Sequence, residues 1–168
     1  MTGETDLQVL LASMQPVLNP GEFVFCTIDR APTAEEVARA VAMFREAEGM
    51  TIVINTDDAT ALGLVGSNPM AWITLTVHSS LEAVGLPAAV AACLTDVGIS
   101  SNVVAAFHHD HLFVPTDRAA SAVAALRALN TGAGSRPVLD EDRGDRPRTS
   151  IQARVGCNLA DVVAQSHS

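Results

Sequence analysis

Residues 72–115 read WITLTVHSSLEAVGLPAAVAACLTDVGISSNVVAAFHHDHLFVP, and changes of hydrophobic period within this stretch decide the fold. Ile73, Leu75 and Val77 alternate, which predicts a strand over 72–77. Leu86, Val90, Cys93, Leu94 and Val97 then recur at helical spacing, with Pro87 near the start and Gly98 at the end of the predicted helix. SNVVAAF and HLFVP are two runs of strand formers separated by very few residues, so they predict a hairpin with His109 and Asp110 at its turn. TDRAASAVAALRALN follows as a helix, with Thr116 as N-cap, Val123, Leu126 and Leu129 as its apolar stripe and Asn130 as C-cap.

The order is therefore β-α-β-β-α. A strand–helix–strand crossover has a fixed hand, and with the added hairpin this is a ferredoxin-like split unit lacking its last strand. GSNP at 66–69 marks the strongest internal break, and the residues before it repeat the order. TDLQVLLASM predicts a first helix from a Thr5–Gln8 capping box, with Leu7, Leu10, Leu11 and Met14 on one face and Pro16 as terminator. EFVFCTI (22–28) reads as a strand. APTAEEVARAVAMFREAEGM reads as one helix opened by a Thr33–Glu36 capping box, striped by Val37, Ala40, Val41 and Phe44, and closed by Gly49. TIVIN (51–55) is a strand, and a short helix capped by Thr56, Asp57 or Asp58 follows. Two incomplete units in one chain imply strand sharing. The expected fold is α+β: two intertwined ferredoxin-like βαββαβ-type units, with antiparallel sheets and helices on one face. The expected boundaries are 1–68 and 69–131, followed by a Gly-, Pro-, Arg- and Asp-rich flexible tail over 132–168 with a short helix at 150–165.

At 168 residues, 48% hydrophobic and 17% charged, the chain is large enough to bury a core. It contains no lysine, and residues 1–131 hold 14 acids against five arginines. An acidic body of this kind repels a phosphate backbone, which argues against nucleic-acid binding. No apolar run approaches a bilayer span, and the N-terminus carries Glu4 and Asp6 rather than a basic segment, so the expected location is cytoplasmic with no membrane contact. Cys26, Cys93 and Cys157 show no metal-binding spacing, and the first two are expected as buried thiols.

His108, His109, Asp110 and His111 are the most conspicuous polar cluster. Neighbouring residues of a strand point to opposite faces, and a turn splays them further, so three or four ligands do not converge readily here. The residues read better as the rim of a pocket, with a small metal-binding protein or enzyme using His78, His108 and His111 as the alternative. There is no GxSxG elbow, phosphate loop or paired-carboxylate pattern, so no catalytic residue, metal or cofactor is expected. The loop HSSLEAVG carries more. It joins a buried strand to a helix N-terminus, where unpaired amides and the helix dipole attract a carboxylate. Ser79 and Ser80 add hydroxyls, Gly85 permits close backbone approach, and Asn102 on the next strand offers polar groups to an ammonium or amide.

In combination, LTVHSSLEAVGL and NVVAAFHHDHLFVP resemble the ACT-domain family, in particular a tandem group of small bacterial proteins once labelled a domain of unknown function and related to aspartate kinase regulatory domains. The resemblance covers residues 4–130. Members of that group carry Gly-Tyr-Tyr where this chain has Ala106, Phe107 and His108. The resemblance implies two intertwined ACT units and a non-catalytic sensor of a small effector, a free amino acid, acting in a homo-oligomer or on a partner enzyme. Its ligand residues would be His78, Ser79, Ser80, Leu81, Val84, Gly85, Asn102 and Val103, rimmed by His108–His111.

Overall fold

In the computed structural model, the described residues are 6–76 and 85–130. They fall within one compact unit, Met1–Arg136; the expected helix at 150–165 lies outside them.

The chain opens with α1 (Leu7–Ser13) and β1 (Pro16–Leu18). The α1 N-cap is Asp6, whose carboxylate accepts from the Gln8 and Val9 amides; Thr5 lies outside the described residues. The first half then supplies β2 (Phe23–Ile28), α2 (Ala34–Arg39), β3 (Ala40–Arg45), β4 (Met50–Asn55) and α3 (Thr56–Ala61). The second half supplies β5 (Met70–Leu75), α4 (Leu86–Asp96), β6 (Asn102–Ala105), β7 (Asp110–Pro115) and α5 (Ala119–Asn130). Among the described residues the strand pairs are all antiparallel, in one sheet of seven strands ordered β3-β4-β2-β5-β7-β6, with β1 paired to β5.

The two halves correspond in register. β2 pairs with β4 from Phe23↔Asn55 to Ile28↔Met50, and β5 pairs with β7 from Met70↔Pro115 to Leu75↔Asp110. β4 and β7 share one burial pattern, and each is followed by a Thr-Asp dipeptide. The Thr56 hydroxyl donates to the Glu22 carbonyl, and its counterpart Thr116 donates to that of Pro69. Thr116 thus clamps a short 3-10 turn to the start of β5, and α5 begins only at Ala119.

The units share strands as expected. β1 lies along β5, and Leu10 and Met14 of α1 are buried with Ile73, Leu86, Leu112 and Leu126 in the core of the second half. The first half closes with a single bridge, Cys26↔Gly66. α1, α4 and α5 cover one face of the sheet in the second half, and α3 covers the same face in the first. The opposite face is tied by aromatic rings. Phe23 meets Trp72 edge-on at 5.3 Å, and Phe25 meets Phe113 at 5.2 Å, so each contact joins one half to the other.

The single helix expected from Thr33 to Gly49 is a helix followed by a strand. The Thr33–Glu36 capping box forms, but α2 ends at Arg39, and residues 40–45 pair with β4. Val37, Ala40, Val41 and Phe44 fit a helical stripe, yet the open edge of β4 offers backbone hydrogen bonds that a continued helix would leave unmade.

Candidate functional site

A ferredoxin-like unit brings the end of its first strand, the N-terminus of its first helix and its hairpin turn to one end of the sheet. In the second half this end is the row Leu75–Asp110–Ala105, defined by the ladders β5·β7 and β6·β7. Of the residues expected to bind ligand, His78, Ser79, Ser80, Leu81 and Val84 lie outside the described residues. Gly85 is the N-cap of α4, left-handed at φ 101°, with no side chain to cap the helix. The left-handed conformation favours glycine, and a Cβ there would stand 3.1 Å from Leu7 Cδ2, a tight contact that the Leu7 side chain would have to relieve. Among the described residues no side chain caps the first-turn amides of α4, and Pro87 removes one of the donors that would otherwise need an acceptor.

Val103 packs on the helix-covered core, while Asn102 is level with Phe113 and directs its amide toward Met70 Sδ at 3.7 Å on the other face. Three residues of strand, about 10 Å, separate Asn102 from the Ala105 row. The structure therefore does not bring Asn102 to the helix N-terminus.

The hairpin turn is Ala106–His109, closed by the Ala106 amide donating to the His109 carbonyl at 3.1 Å. Asp110, expected at the turn, is instead the first residue of β7. It is 5% exposed and shares its face with the core residues Leu112 and Val114. Burial pushes its carboxyl above the usual range, against the opposing pull of His111 and His109. His111 points the other way. Trp72 Nε1 donates to its Nδ1 at 3.1 Å, and the Thr74 hydroxyl lies 3.2 Å from the same atom. An indole N–H can only donate, so Nδ1 is the acceptor and the neutral ring carries its proton on Nε2. Burial is the main cause that lowers the His111 pKa, which favours that neutral form. His108 sits on the turn with its ring against Phe107. The cluster is thus divided between two faces and a turn. Among the described residues, no three His, Cys, Asp or Glu side chains are grouped to hold a metal ion.

The equivalent end of the first half is built differently. Between β2 and α2, Arg30 forms a two-pronged ion pair with Glu36, at 2.9 and 2.6 Å, and Glu36 also accepts from the Thr33 amide at 2.7 Å. Glu36 is buried and Arg30 half exposed. A cleft of about 340 Å³ remains beside them, between residues 29–32 and 45–50. The Arg30 hydrogen bond, then the Thr33 amide, hold the Glu36 pKa down to about 2. A depressed carboxylate stabilises the fold above its unfolded pKa and loses that contribution as pH falls toward the folded value. Glu36→Gln should therefore lower Tm at neutral pH by on the order of 5 °C, with the gap to wild type closing between about pH 4.5 and pH 2. Calorimetric melts across that range read the effect directly.

Residues 2–71 match one family model described as an ACT domain, and residues 69–128 match a second. The chain belongs to the ACT-domain family. The tandem ACT chain is 45% identical to VC0802 of Vibrio cholerae, a protein of unknown function described as a possible transport protein; the match covers 74% of this chain and 95% of that one, with a TM-score of 0.67. Two more distant structures share the ACT fold. The Agrobacterium tumefaciens protein Atu0741 is 17% identical over 70% of this chain and 89% of its own, with a TM-score of 0.53. The ligand-free regulatory subunit of aspartate kinase from Thermus thermophilus is 12% identical over 70% of this chain and 97% of its own, with a TM-score of 0.52. Comparison with curated proteins gives no match.

Sequence reasoning missed Asp110 as a buried group at this end, and it missed the Arg30–Glu36 pair in the corresponding ACT unit. The signal was the repeat itself. Aligning MTIVINTDDA (50–59) with DHLFVPTDRA (110–119) places Asp110 opposite the strand residue Met50 rather than in a turn.

Proposed function

We propose that this tandem ACT chain is a non-catalytic regulatory protein that binds a free amino acid at the end of its second unit. The loop residues His78, Ser79, Ser80, Leu81, Val84 and Gly85 would hold the ligand, with Val103 behind them. Asn102, on the other face, is not in this set. The observation that carries the reading is the difference between the two units. The first places its own Arg30–Glu36 pair at its strand-to-helix junction, beside an open cleft, whereas the second opens α4 on a left-handed glycine with no side-chain cap. The helix N-terminus suits a carboxylate, and the family supplies the regulatory, ligand-binding context. A regulatory chain of this kind acts through a second copy or a partner enzyme. No helix among the described residues is long and apolar enough to cross a membrane.

Thermal shift with each of the twenty L-amino acids at millimolar concentration is the direct screen. A ligand present at about 100 times its Kd should raise Tm by roughly 5–10 °C. Flat melting curves with all twenty would contradict the reading.

A further inference from the structure

On the helix-free face, the second unit carries a polar pair that the first unit lacks. The aligned ladders set Trp72↔Phe113 and Thr74↔His111 in the places of Phe25↔Val53 and Thr27↔Thr51. The first unit closes these positions with no titratable side chain, so the fold itself does not call for one. In the second unit Trp72 Nε1 donates to His111 Nδ1 at 3.1 Å, and the Thr74 hydroxyl lies 3.2 Å from the same nitrogen. Thr74 is 9% exposed and accepts from Asn19 Nδ2 at 2.9 Å. Trp72 also meets Phe23 of the first half edge-on, so the pair sits where the two ACT units join. Neither β5 and β6, which flank His111, nor β1 beyond β5 carries a titratable side chain. His109 and Asp110, its chain neighbours, are the charged groups that act on it. Burial opposes its protonation most, His109 opposes it further, and Asp110 favours it.

We propose that the Trp72–His111 pair is a proton-sensitive latch between the two ACT units, closed by a neutral imidazole and opened by an imidazolium. The neutral ring carries its proton on Nε2, so an added proton must go to Nδ1, the atom that Trp72 already occupies. An imidazolium presents N–H at both nitrogens, and an indole N–H cannot accept. Nδ1–H then turns to the Thr74 oxygen, which has a second lone pair beside the one used by Asn19, and the indole loses its partner. Release of the indole loosens the contact of Trp72 with Phe23. Because the fold disfavours the charged ring, the stability present above the unfolded histidine pKa declines as pH falls toward the lower folded value.

An NMR titration of the full ¹⁵N-labelled chain from about pH 8 to about pH 5 tests this. The chain has one tryptophan, so the Trp72 indole N–H gives a single side-chain signal. At the alkaline end the His111 ring should be the Nε2–H tautomer. As pH falls, the indole signal should move upfield and its exchange with water should quicken roughly five-fold or more. Its midpoint should match that of the His111 ring and lie below that of a free imidazole. Cross-peaks between the Trp72 and Phe23 rings should weaken over the same interval. In His111→Gln the side-chain oxygen can accept from the indole without titrating. There the indole signal should stay constant, and Tm should fall less from about pH 7 to about pH 5 than in wild type. An Nδ1–H tautomer at neutral pH, or an indole signal unmoved across the range, would overturn the latch. So would an equal indole titration in His111→Gln, which would point to His108 or His109 instead. Constant Trp72–Phe23 cross-peaks would overturn the link between the units. If His111→Gln does not fold, agreement of the two wild-type midpoints upholds the latch and disagreement overturns it.

Discussion

Phe113→Ala should destabilise the protein by about 3–5 kcal/mol and split its unfolding into two transitions. Phe113 is 2% exposed, and its ring packs on Phe25 from the first half as well as on Trp72 and Phe23. Backbone pairing between β2 and β5 is limited to Phe23↔Met70, so the aromatic side chains, rather than a ladder, join β2 to β5 and β7 on the helix-free face. Removing the ring opens a cavity where both halves meet. Differential scanning calorimetry of wild type should show one peak, and the variant two, or one broadened peak with a van't Hoff enthalpy below the calorimetric value. A sharp single transition lowered by less than 1 kcal/mol would mean that the halves are held together elsewhere.

Leu10→Ala should cost about 2–5 kcal/mol, and its effect should be felt in the second half of the chain rather than in the first. Leu10 is completely buried, and with Met14 it packs into the core formed by β5, β7, α4 and α5. β1 follows α1 directly and lies along β5, so loosening α1 also loosens the strand that completes the second unit. The Asn130 side chain adds a third tie, donating to the Met14 carbonyl from the last residue of α5. Amide hydrogen exchange should report lost protection in β5, α4 and α5, with β2 and β4 less affected. Uniform loss across both halves would contradict this division.

What the sequence revealed depended on whether local pattern and tertiary pairing agreed. β5, α4, the hairpin and α5 were legible because their periods and punctuation point the same way: Pro87 and Gly98 bracket α4, and Leu112 to Val114 are strand formers on both faces. Residues 40–45 were not, because AVAMFR suits a helix and a strand alike, and the unpaired edge of β4 decided between them. β1 is three residues long and carries no periodic signal; its role is visible only once β5 is seen to need a neighbour. At the candidate site, the helix start at Gly85 was readable from glycine and proline placement. The inward Asp110 was not, because the HHDH run invites a turn, and a one-residue slip in a strand exchanges the two faces. That slip separates a polar rim from a buried carboxylate; Asn102 differs for another reason, since its pairing with Phe113 sets it three residues along the strand from the Ala105 row.

The central claim is that the second unit binds an amino acid and the first does not. Two-dimensional ¹H–¹⁵N NMR of the full chain, titrated with the amino acid that raises Tm most, tests it directly. The account predicts saturable shifts at Gly85, Leu86, Ala105 and Asp110, with their first-unit counterparts around Arg30, Glu36 and Met50 unmoved. Shifts centred on the first-unit residues, or equal shifts in both units, would contradict it.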